Sequence, residues 1–176
     1  MTVRREYVEV PSIEGVKLLD KSMGIGYLHI TSFQKTTAFD LDHAMRQLDA
    51  QGMRSLIIDL RGNPGGLLSA AVDISDLFID RGLVVATRGR SPEEDFNYTA
   101  SHRGTWHIPL TLLIDGDSAS SSEIFAGAIR DHKRGKIIGT RSYGKGSIQG
   151  IFPLDVAGVG MRLTTAHFYS PTGKPY

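Results

Sequence analysis

Apolar and polar positions along this chain switch between two periods. Two runs, SLIIDL (Ser55–Leu60) and LTLLI (Leu110–Ile114), are almost unbroken apolar stretches of strand length and read as buried strands. GIGYLHI (Gly24–Ile30) partly alternates, which predicts a strand with one covered face. Leu41, Ala44, Met45 and Leu48 recur at i, i+3, i+4 and i+7. With Thr36 or Thr37 as cap and Gly52 as stop, they predict a helix ending near Ala50. A second helix is predicted over Leu67–Ile79, its apolar face made by Ala70, Ala71, Ile74, Leu77 and Phe78. A third opens at Ser120-Ser121-Ser122-Glu123.

Shorter strands are expected at residues 2–10 (an edge strand ended by Pro11), Val16–Leu19, Leu83–Thr87, Ile137–Ile138, Ile151–Leu154 and Val159–Tyr169. The polar stretch 88–107 reads as a surface excursion or hairpin, and Ser170-Pro171-Thr172-Gly173 as a turn. Strands alternating with helices predict a layered α/β domain over residues 1–176, with extra antiparallel pieces at the strand-rich ends.

Composition narrows the chemistry. The chain has 176 residues and a net charge of +1, so no strong polyanion such as nucleic acid is implied as partner. It has no cysteine, which excludes disulfides, a thiol nucleophile and Cys-ligated zinc. No stretch approaches the ~18 apolar residues of a membrane span, so membrane association of this segment is not expected. The start, MTVRREYVEV, lacks the apolar core of a signal peptide. The six histidines show no H-E-x-x-H spacing, and no metal or cofactor is expected. His102 and His107 lie in the polar excursion, where surface placement is the simpler reading; His29 and His167 read as half-buried strand residues. Glycine makes up 20 residues, above the usual ~7%, and clusters in loops after apolar runs.

Two such loops carry candidate chemistry. After SLIIDL comes Arg61-Gly62-Asn63-Pro64-Gly65-Gly66, whose glycines let backbone N–H groups turn towards a ligand. A tight connection with no ligand fits the same residues. After LTLLI comes a Gly/Asp/Ser turn and then Ser120 at a helix start, where free N–H groups and the positive dipole end favour a developing oxyanion. Ser120-x-x-Glu123 is equally a capping box, in which the serine only satisfies an N–H.

Lys145, between Gly144 and Gly146, is the candidate base. An ordinary lysine titrates near 10.4, so base catalysis at neutral pH requires a pocket that disfavours its charged form. Tyr143 and Ile148 could help form one. The stretch Gly139-x-x-x-x-Gly144-Lys145 nearly spells a phosphate-binding loop. It lacks the following Ser or Thr, and Ser147 to Pro153 does not read as the helix such a loop needs.

With these residues in view, the chain resembles the catalytic core of the carboxyl-terminal-processing peptidases, or tail-specific proteases. The segments that carry the likeness are GIGYLHITSF, LIIDLRGNPGGLLSAAV, LIDGDSASSSEIFAGAI, IIGTRSYGKGSIQ and LTTAHFYSPTGKPY. The resemblance implies a crotonase/Clp-protease-like core and a serine peptidase with a Ser-Lys pair. On that reading Ser120 is the nucleophile, Lys145 the base, and Gln149 orients the lysine amine. The oxyanion donors would be the N–H groups of Ser121 and of the Gly65-Gly66 pair, with Glu123 supporting the helix start. Strand alternation would put positions 145 and 149 on one face.

The resemblance further implies protein or peptide substrates with apolar C-terminal tails, a bacterial envelope or periplasmic setting, and room for homo-oligomers. Family members usually carry a PDZ domain, which is missing from this sequence, so it reads as an excised single-domain core or a minimal relative. A non-catalytic peptide-binding module of the same fold is the competing reading. Acyl transfer on thioesters is a third, on fold analogy alone.

Overall fold

The computed structural model describes residues 10–101, 105–154 and 159–176. The strand expected at residues 2–10 falls almost wholly outside them, as does His102.

The two nearly unbroken apolar runs form neighbouring parallel strands at the heart of the first sheet. Its order is β1 (Ile13–Asp20), β2 (Ile25–Ile30), β3 (Ser55–Asp59), β6 (Leu110–Ile114) and β7 (Lys136–Gly139). β2, β3, β6 and β7 are parallel; β1 pairs antiparallel with β2 as a mostly exposed edge. The second sheet is antiparallel, in the order β5 (Phe96–Ala100), β4 (Gly82–Gly89), β9 (Gly160–Tyr169), β8 (Ser147–Pro153). The polar excursion after β4 is thus the hairpin that closes on β5, with a short 3-10 turn at Pro92–Glu94 between them.

Three helices complete the described residues: α1 (Thr37–Ala50), α2 (Leu68–Asp76) and α3 (Ser121–Asp131). α1 buries Leu41, Ala44, Met45 and Leu48, the stripe read from its spacing. α2 stops three residues earlier than the apolar pattern suggests. Its last amides tighten to i−3 carbonyls, Leu77 to Ile74 and Phe78 to Ser75, and the Leu77 carbonyl is taken by the Trp106 N–H. Phe78 and Ile79 are buried all the same, just past the helix end. α3 is covered nearly all round, every residue from Ser121 to Ile129 being buried. It packs beside α2 and reaches both β7 of the first sheet and β4 of the second. One apolar cluster, from Leu28 and Ile58 through Phe125 to Phe168, joins the two sheets. Among the described residues no helix is long and apolar enough to cross a membrane.

The last hairpin departs from the sequence reading. β8 begins at Ser147 rather than Ile151, because its pairing with β9 outweighs the weak strand signal of Ser-Ile-Gln-Gly. A register shift falls between Ile148 and Gln149, where Ile148 faces Ala166 but Gln149 faces Thr164. The extra residue is Thr165 of β9, a bulge in that strand, and Lys145 lies two residues before β8 begins.

Candidate active site

The parallel strands β3 and β6 end side by side, and the loops that leave them are laced together. Asp115, at the end of β6, accepts the Gly62 N–H at 3.0 Å and also the N–H groups of Asp117 and Ser118. The Gly62 N–H, chief among these donors, holds the Asp115 carboxyl below the usual range. Ser118 donates its hydroxyl to Leu60 O at 2.8 Å. Asn63, which the sequence reading passed over, is the fully buried centre of this lacing. Its carbonyl accepts the Ala119 N–H and the Ser122 hydroxyl, each at 3.0 Å. Its side chain donates to Ile30 O at 2.7 Å and accepts the Gly65 N–H at 2.8 Å. The hint was an asparagine between a glycine and a proline, a residue that bonds backbone two positions on.

That last bond refines the expected oxyanion donors. The Gly65 N–H is spent on Asn63, whereas the N–H groups of Gly66 and Ser121 meet no acceptor among the described residues. Gly65 instead serves by being small: a Cβ there would lie 2.7 Å from Ala119 O and 2.9 Å from the Ser120 Cβ. Gly66, at φ 150°, lies against Phe33, where an added Cβ would come within 2.1 Å of the carbonyl oxygen. Phe33 donates its N–H to Gly65 O, and its carbonyl accepts the Leu67 N–H.

Ser120 stands at the N-terminus of α3 with φ 55°, a left-handed conformation that costs a non-glycine residue about 1–3 kcal/mol. Ser120 and Glu123 stand as the capping box the spacing suggests, although the Ser120 hydroxyl makes no cap hydrogen bond of ordinary geometry. The helix end is satisfied from the other side: the Ser120 N–H donates to Glu123 Oε2 at 2.9 Å. Glu123 is buried, and its carboxylate also accepts the Gly144 N–H (2.7 Å) and the Lys145 N–H (2.9 Å). The glycine-lysine loop is pinned elsewhere too. Tyr143 N–H donates to Ser118 O at 3.1 Å, and Gly146 O accepts the Phe168 N–H at 2.7 Å.

Ser120, Lys145, Gln149 and Gly66 line one open cleft of about 220 Å³, shared with Leu68, Ile148, Arg162 and Phe168. On its other flank Lys145 borders a second cleft of about 470 Å³, lined by Gly62, Pro64, Asp117, Ala119 and Tyr143. Ile148 and Gln149 both line the first cleft. Lys145 and Gln149 are exposed, so the open cleft does not enclose the lysine as base catalysis requires. None of the described histidines lines either cleft; His29 bonds Arg61 O, His107 is exposed beside Asp80, and His167 is exposed rather than half-buried. No cluster of three or more His, Asp or Glu side chains that could hold a metal occurs among the described residues. After Lys145 the chain enters β8, not the helix that a phosphate loop needs.

Two parallel strands feeding a glycine-rich loop and a strained serine at a helix start, with a lysine lining the same cleft, are the arrangement of a serine hydrolase. Residues 24–175 match the model of peptidase family S41, and the chain belongs to that family. It is 44% identical over 154 residues to a carboxy-terminal-processing protease of Bartonella bacilliformis, covering 85% of this chain and 35% of the relative. A carboxyl-terminal-processing protease of Synechocystis is 34% identical, over 97% of this chain and 40% of its own. The chain thus spans well under half the length of these relatives. Among solved structures, the photosystem II D1 C-terminal processing protease superposes with a TM-score of 0.81 at 29% identity. That match covers 97% of this chain and 47% of the other.

Proposed function

We propose that the chain is the catalytic core of a serine endopeptidase that cuts proteins near apolar C-terminal tails. One observation carries the reading: a serine in a strained conformation at a helix N-terminus shares a cleft with Lys145, Gln149 and Gly66, whose N–H meets no acceptor among the described residues. Ser120 attacks the scissile carbonyl carbon as its proton passes to Nζ of neutral Lys145. The resulting oxyanion is held by the N–H groups of Gly66 and Ser121 at the positive end of α3. Lys145 then gives the proton to the leaving amine, the C–N bond breaks, and an ester on Ser120 remains. Water, deprotonated by Lys145, releases the acid and restores the serine. Gln149 orients the lysine amine. A bound peptide covers the exposed flank of Lys145, and Leu68, Ile148 and Phe168 offer it an apolar wall. The relatives' printed names favour carboxyl-terminal processing, and kinship with bacterial and chloroplast enzymes favours a bacterial envelope setting.

The exposure of Lys145 favours a second reading, a peptide-binding module that does not turn over. Labelling with a fluorophosphonate separates the two. Labelling of the native chain that disappears in Ser120→Ala and falls sharply in Lys145→Ala supports the peptidase. Saturable binding of C-terminal peptides with no labelling at any pH supports the binding module.

A further inference from the structure

The two clefts that meet at Lys145 differ in charge. The larger holds one acid, Asp117, while the smaller holds no acid and a second cation, Arg162. Arg162 lies on β9 opposite Ile151, two residues before the partner of Gln149. Phe168, further along the same strand beyond a bulge at Thr165, lines the same cleft. Arg162 is exposed, and no ion pair or hydrogen bond holds its guanidinium among the described residues. By contrast Arg61 is anchored on Asp59, Arg88 on Asn97 and Arg134 on backbone carbonyls.

An unpaired guanidinium in a cleft with apolar walls is a receptor for a carboxylate, which it can grip through two parallel N–H bonds. We propose that Arg162 binds a carboxylate of the substrate and so fixes which end of the peptide enters the smaller cleft. The inference rests on the peptidase reading for its cleavage arm only. The carboxylate has two sources, the free C-terminus of a short tail or an acidic side chain beside the scissile bond. Asp117 in the opposite cleft repels both, so charge alone gives the bound chain a direction.

The test uses three fluorescent peptides of one apolar sequence: a free acid, its C-terminal amide, and an amide with one Glu in place of Gln. Binding is measured by anisotropy on the Ser120→Ala chain, with and without Arg162→Met, and cleavage on the chain with Ser120 intact. The free acid is expected to bind roughly tenfold or more tightly than the amide, as a charge-assisted bidentate pair implies. Arg162→Met brings that ratio to about one, and Arg162→Lys, which keeps the charge but not the fork, gives an intermediate ratio. A preference for the Glu amide that Arg162→Met removes supports the side-chain source instead. Equal binding of all three peptides, or a preference that survives Arg162→Met, overturns the proposal. Because Arg162 is exposed, its variants should melt where the parent does, and a thermal scan checks this. Absence of cleavage with carboxylate-dependent binding intact would sink the peptidase reading and leave this one standing.

Discussion

Ser120 and Lys145 donate their backbone N–H groups to the same oxygen, Oε2 of Glu123, each at 2.9 Å. The serine turn and the lysine loop, one from each side of the cleft, are therefore referenced to a single buried carboxylate. Glu123→Ala leaves three amides without their acceptor and should cost at least about 3 kcal/mol. Glu123→Gln keeps the shape but turns one N–H towards another, and should fall in between. Urea unfolding measures the first effect. If the clamp also positions the pair, Glu123→Gln lowers kcat more than it raises KM.

Two glycines in one loop should respond oppositely to the same change. At Gly66 an added Cβ meets the Phe33 carbonyl at 2.1 Å, while at Gly62 it meets nothing within 4 Å. Both have positive φ, so Gly62→Ala should cost about 1 kcal/mol of backbone strain and leave Ser120 labelling intact. Gly66→Ala should abolish labelling, because Phe33 and the loop must part to admit the methyl group. Equal labelling of the two variants would contradict the packing described here.

Arg134 is held by carbonyls rather than by an acid. It donates to Phe78 O and Ile108 O, both at 2.9 Å, and also to Trp106 O. Partial burial pulls its titration down from the ordinary value. Arg134→Met removes all three donors and should lower stability by about 2–4 kcal/mol. Arg134→Lys should recover only part, since an ammonium lacks the fork. Chemical denaturation of both variants tests this.

Stability should fall on the acid side. Asp115 is held low by the Gly62 N–H. Asp59 and Asp131 are raised by burial but pulled lower overall, Asp59 by Arg61 and Asp131 by Arg130, Ser170 and Thr172. A depressed folded value gives stability that is complete above the unfolded value of about 3.9 and lost as pH falls through the folded one. Urea midpoints should thus hold from neutrality to about pH 4 and drop below it, and Asp115→Asn should flatten the drop. At the alkaline end burial raises Tyr176 and, with the Asp59 bond, Tyr27. Their contribution is present below about pH 10 and lost above it.

The elements that could be read from residues alone were those with a period. β3, β6 and α1 announced themselves through local patterning, and so did Ser120 at a helix start. β8 did not, because Ser-Ile-Gln-Gly becomes a strand only through β9, which follows later in the chain. The same remoteness hid the bulge at Thr165. Tyr143 and Ile148 lie near Lys145 in sequence and left a pocket open as one reading, yet Tyr143 is itself 68% exposed. Burial is decided by what lies across the cleft. The division of labour between Gly65 and Gly66 was equally out of reach, since it depends on which amide the Asn63 side chain captures.

The β8–β9 hairpin has a mechanical meaning. Its root holds the lysine loop, and its seven-residue arm reaches about 20 Å outward. Ile151, Phe152, Met161 and Leu163 are exposed towards its end. An arm of that length is a lever whose short end carries the Lys145 loop. A load on its apolar tip is thus transmitted to the loop that Glu123 holds through the Gly144 and Lys145 N–H groups.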